Sequence, residues 1–188
     1  GAEPSGHGEG GPALSIDWDE REGRGLVRNR LADGTELVTV LGRYRDSEGG
    51  APRGLFVGGA VPEVSADAAR QSQSGMAFHN ARGWFHVWCN VNEAVIDQVA
   101  NRTFAPSAWR FLGSRVLVED GRRAVLESNH ELEAAGGRLR LDRFAAFTAG
   151  ERTFQLSVVV TWLGPGTIRF AYLYGDEPWV GHFGSADG

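Results

Sequence analysis

Beyond residue 14 the chain alternates apolar and polar positions with period two, and helical spacing is scarce. In "TFQLSVVVTWL", Phe154, Leu156, Val158, Val160 and Trp162 share one face, and Gln155, Ser157, Val159 and Thr161 take the other. In "RLRLD", Leu139 and Leu141 oppose Arg138, Arg140 and Asp142. In "TIRFAYLY", Ile168, Phe170, Tyr172 and Tyr174 oppose Arg169, Ala171 and Leu173. Leu37, Thr39 and Leu41 alternate with Val38 and Val40, so that strand is apolar on both sides. Asp33-Gly34, Asp120-Gly121 and Gly136-Gly137 separate such runs and are hairpin signals. Short strands joined by glycine turns predict an all-β fold: an antiparallel β-sandwich, supersandwich-like or with curled sheets, and little helix. The arginine-rich strands are expected to face water or to guard sheet edges.

One strand is expected over Met76 to Val91. Its segment "GWFHVWCNVNE" sets Phe85, Val87, Cys89 and Val91 against Trp84, His86, Trp88, Asn90 and Asn92. The first set is a core face. Cys89, the one cysteine, belongs to it as a small hydrophobe, and no intramolecular disulfide exists. The second set joins flat indole rings, which match the apolar face of a sugar, to amides and an imidazole that bond hydroxyls. The competing reading is a second buried face, since large aromatics are usually core. After it, Asn92 caps a short helix over Glu93 to Val99 or begins an extended loop. Ser65 is a candidate cap for one or two helical turns in "SADAARQSQSG".

A second cluster lies in "YLYGDEPWVGHF". Tyr172, Tyr174, Asp176, Glu177, Trp179 and His182 fall close together at a strand end, where a rigid sheet presents function. The ligand-binding set read from the sequence is therefore Trp84, His86, Trp88, Asn90, Asn92, Tyr172, Tyr174, Asp176, Glu177 and Trp179. Candidates for acid-base chemistry are His86, His130, His182, Asp176 and Glu177, because a histidine beside a carboxylate can shuttle a proton. His130 and Glu131 are neighbours on a strand and point to opposite faces. "ESNHELE" around them also reads as an exposed polar strand end. The histidines show no metal-ligand spacing, and no phosphate loop or nucleophile elbow is present, so no cofactor or metal is expected.

Composition narrows the partners. The net charge is −5, which offers no footprint for nucleic acid. All 19 basic residues are arginine, as a GC-rich genome produces. No run of about 18 apolar residues provides a membrane span. Residues 1–13 are rich in Gly, Ser, Pro and Glu and are expected to be a flexible tail; residues 14–188 form a single β-sandwich domain. Such a tail suits a bacterial protein secreted or held in the cell envelope after leader cleavage, and a cloning scar or a partial gene would look the same.

The run "LRLDRFAAFTAGERTFQLSVVVTWLGPGTIRFAYLYGDEPWVG" resembles galactose mutarotase-like β-supersandwich domains over about 45 residues. The likeness lies in a long strand Val158 to Leu163, a turn Gly164 to Gly166, and a strand Thr167 to Gly175 leading to a loop. Trp162-Leu163 stands where that family often has asparagine. The resemblance implies sugar chemistry by His, Tyr and carboxylates on a concave sheet, with no catalytic residue carried over by position. The expectation is a carbohydrate-binding or carbohydrate-processing domain with a saccharide ligand. The alternative is a non-catalytic structural or assembly domain of an exported protein.

Overall fold

The computed structural model describes residues 12–42, 52–58, 74–134 and 136–178, with 74, 75, 77, 84–92 and 176–178 described by their backbone alone. Eleven strands account for most of them: β1 (Leu14–Asp19), β2 (Arg24–Arg30), β3 (Glu36–Leu41), β4 (Ser74–Asn80), β5 (Gly83–Asp97), β6 (Arg102–Phe104), β7 (Arg110–Glu119), β8 (Arg123–Ala134), β9 (Gly137–Thr148), β10 (Phe154–Leu163) and β11 (Phe170–Pro178). One 3-10 turn, Pro106–Ala108, precedes β7. The fold is an antiparallel β-sandwich, and its sheets do not close into a barrel. Among the described residues no helix is long and apolar enough to cross a membrane.

The first sheet runs β1-β2-β3-β4-β5-β11, with β6 beside the end of β5; the second runs β10-β9-β8-β7. The predicted hairpins form where the turn chemistry favours them. Asp33 Oδ1 accepts the Thr35 N–H at 2.9 Å, and Asp120 Oδ1 accepts those of Arg122 and Arg123.

Two expectations change. The strand expected over Met76 to Val91 is two strands, β4 and β5, joined by a turn at Ala81-Arg82. Gly83 allows this turn with φ +118°, a conformation an L side chain rarely adopts. The expected helix or loop from Glu93 to Val99 is instead the continuation of β5 to Asp97. Glu93, Val95 and Asp97 are all buried, so the inward face of this stretch carries two acids, and its alternation does not read as apolar and polar. Ser65 and its helical turns lie outside the described residues.

Two apolar clusters fill the space between the sheets. One joins Leu14, Val27 and Leu41 of the first sheet to Ala124, Leu126, Ala145 and Phe147 of the second. The other joins Val95 to Leu132, Ala134, Leu139 and Leu141, with Phe170 and Tyr172 packed against it. Passing along β8 from Ala124 to Ala134 therefore moves from beneath β1–β3 to beneath β5 and β11. The second sheet therefore spans both halves of the first, face to face.

At one margin, Trp18 Nε1 donates to Ser114 Oγ at 3.1 Å, and Ser114 Oγ donates to the Glu20 carbonyl at 2.6 Å. The Glu20 carboxylate accepts the Val116 N–H at 2.7 Å. The β1–β2 turn of one sheet is thus fastened to the edge strand of the other. On the outer face of the second sheet, Arg115 pairs with Glu127, Asn129 bridges Glu127 and Asp142, and Arg140 pairs with Asp142. Arg138 and Arg140 face outward as expected. Arg143, on the same arginine-rich strand, does not: it is fully buried.

Candidate functional site

Three places carry chemistry. The first is a polar centre between the two apolar clusters. On β9 the inward positions read Leu139, Leu141, Arg143, Ala145, Phe147, which drives one guanidinium into the core. Arg143 forms a two-pronged pair with Glu93 of β5: Nη1 to Oε2 at 2.5 Å and Nη2 to Oε1 at 2.8 Å. The two side chains are 0% and 1% exposed. Tyr172 of β11 accepts from Arg143 Nη1 at 2.7 Å and donates to Glu93 Oε2 at 2.5 Å. Arg143 Nη2 also donates to the Leu55 carbonyl at 2.9 Å, and its guanidinium lies 4.3 Å from the Phe56 ring centre. Burial alone would lower the Arg143 pKa, but Glu93 and the Tyr172 oxygen outweigh it and raise the pKa, so the guanidinium stays charged. Burial raises the Tyr172 pKa, keeping its hydroxyl protonated and able to donate.

His130 lies beside this cluster, 1% exposed rather than at the exposed strand end anticipated for it. Its ring packs against Phe56, Trp109 and Phe111. Nε2 meets the Arg53 carbonyl at 2.7 Å, and since a carbonyl only accepts, Nε2 carries the proton. Nδ1 is buried with no hydrogen-bond partner. Burial lowers the His130 pKa to about 4, against a raising contribution from the Arg53 carbonyl, so the ring is neutral at pH 7. Gly54 makes this approach: its φ is +103°, and a Cβ there would stand 2.6 Å from His130 Cε1. Gly54→Ala is expected to lower stability by about 2 kcal/mol through backbone strain and overpacking, read from urea denaturation followed by tryptophan fluorescence.

The second place is the β5–β11 pair, where the two sequence clusters meet. Asn92 stands opposite Gly175, Val91 opposite Asp176, Cys89 opposite Glu177, and Trp88 opposite Pro178. The ladder slips between Asp176 and Glu177, and slips twice more where β4 meets β5, at Ser74/Met76 and Met76/Ala77. Such slips bend a strand and re-aim side chains, and they recur beside functional sites. Trp84, His86, Trp88, Asn90, Asn92, Asp176 and Glu177 are placed by their backbone; Trp179 and His182 lie outside the described residues. Tyr174 is 39% exposed, whereas Tyr172 has its hydroxyl committed to the polar centre.

The chain matches no family model, no curated protein and no solved structure. The site is therefore read from its own geometry.

The third place is an open cleft of about 390 Å³ at the far end of β8, lined by Arg102, Phe104, Arg110, Glu131, Glu133 and Arg138. Arg110 and Arg138 both pair with Glu131, and Arg102 stacks over Phe104 at 4.8 Å. Glu131 thus has two cations above it, and the cleft is close to charge balance. Among the described residues no group of three or more His, Cys, Asp or Glu gathers to hold a metal ion.

Of the polar centre, the sequence candidates include Tyr172 and neither Arg143 nor Glu93. Its local signal is an arginine on the leucine-bearing parity of β9. Glu93 lies 50 residues from that arginine and carries no local mark.

Proposed function

We propose that the protein is a carbohydrate-binding β-sandwich domain whose ligand lies along the β5–β11 pair. The observation that carries this reading is the antiparallel register that sets Trp88, Cys89, Val91 and Asn92 opposite Pro178, Glu177, Asp176 and Gly175. It brings the aromatic-amide run alongside the acid-bearing run, and the ladder irregularities fall in the same stretch. The half-exposed Tyr174 ring supplies a surface for sugar stacking, and Asp176, which shares its face of the sheet two positions along β11, suits hydroxyl recognition. The resemblance to mutarotase-like domains points the same way. Among the acid-base candidates His130 does not suit processing, because it is neutral, enclosed by rings and bonded to a backbone carbonyl rather than to a carboxylate.

The test is affinity electrophoresis and calorimetry against neutral and uronate-containing polysaccharides. Trp88→Ala and Tyr174→Ala are each expected to weaken binding by about tenfold or more, the scale of an aromatic anchor. Equal binding by both variants and the parent, or no binding by the parent to any of these glycans, overturns the reading.

A further inference from the structure

We propose that the protein self-associates as a two-fold dimer through its β10 edge, extending the second sheet from four strands to eight. An edge strand leaves backbone N–H and C=O groups unpaired, and proteins that stay apart blunt such edges with charge, proline or bulges. Among the described residues, three of the four long edges are blunted. β1 carries Asp17 and Asp19. β11 carries Asp176, Glu177 and Pro178 and a slipped register. β7 has two register slips, carries Arg110, Arg115 and Glu119, and receives the Glu20 carboxylate on its Val116 N–H.

β10 has none of these devices. Its ten residues, FQLSVVVTWL, contain no charge, no proline and no glycine. Its register with β9 is unbroken from Phe154 to Leu163. From Gln155 to Leu163, among the described residues, no backbone hydrogen bond outside the β9 ladder engages it. Val159 is 51% exposed and Leu163 44%.

The occupant that fits is a second copy of this strand. Antiparallel pairing about a two-fold axis at Val159 sets Val159 on its own counterpart and Ser157 on Thr161. Hydroxyl pairs and β-branched pairs are favourable across strands, and no like charges meet. The interface is the same patch on both subunits, as a closed dimer requires. Main-chain pairing supplies the affinity, as in other strand additions. This dimer is independent of the glycan reading, because β10 and the β5–β11 pair lie in different sheets.

Sedimentation velocity over about 1 to 100 μM is the test. The parent is expected to dimerise in that range. Val159→Lys places two cations against each other at the axis and is expected to raise the dissociation constant at least about tenfold. Leu117→Lys, on the opposite edge, is expected to leave it unchanged. Thr161→Lys repeats the test should Val159→Lys lose its native circular dichroism. A parent monomeric throughout the range, or a dimer that folded β10 variants leave intact, overturns the proposal.

Discussion

Arg143→Ala is expected to lower the unfolding free energy by about 3–5 kcal/mol, the cost of leaving a buried charge without its partner. The Glu93 carboxylate is 1% exposed and takes both prongs of the guanidinium, so water cannot replace what the arginine supplied. Tyr172→Phe removes one donor to the same carboxylate and is expected to cost less, about 1–2 kcal/mol. The pair Arg143→Met with Glu93→Leu removes both charges at similar volume. It is expected to recover most of the stability lost by Arg143→Ala, because desolvation of the two ions disappears together with their attraction. Urea denaturation of the four proteins at pH 7 checks the order. If Arg143→Ala is as stable as the parent, Glu93 is not held by this pairing.

Acid is expected to destabilise the domain through His130. Its folded pKa is lowered to about 4 by burial, below the ordinary value of 6.5 that the unfolded chain restores. Between those values the unfolded chain binds the extra proton and the folded one does not, so stability falls as pH falls. The contribution is fully present above pH 6.5 and is lost as pH drops toward 4. A gap of this size corresponds to about 3 kcal/mol. His130→Leu is expected to flatten the stability profile over this window relative to the parent, even though it forfeits the bond to the Arg53 carbonyl at neutral pH. Denaturation midpoints measured from pH 4 to 8 decide it. Parallel profiles for the two proteins would remove His130 as the cause.

The strands and hairpins were legible because each is specified locally. Asp33-Gly34 and Asp120-Gly121 carry the turn chemistry in two residues, and the inward parity of β10 is written in Phe154, Leu156, Val158, Val160 and Trp162. The split of β4 from β5 was marked by Gly83 alone, within a run that otherwise reads as strand throughout. β5 past Asn92 was obscured because its inward positions include Glu93 and Asp97, whose burial depends on distant partners and on a turn: Asp97 Oδ1 accepts the N–H groups of Val99 and Ala100. The same cause hid the polar centre. Ser128, His130 and Arg143 sit at inward positions of β8 and β9, and only the folded arrangement supplies the groups that satisfy them: Leu55 N–H for Ser128, the Arg53 carbonyl for His130, and Glu93 for Arg143. The meeting of the two candidate clusters on β5 and β11 was a question of register, which no single strand encodes.

The way the second sheet spans the first has a mechanical consequence. β8 and β9 each lie over strands from both halves of the first sheet. A load that would peel β1–β3 away from β5 and β11 must also shear the side chains that β8 and β9 pack against both. The second sheet thus acts as a splint across the first, and neither half is expected to come away alone.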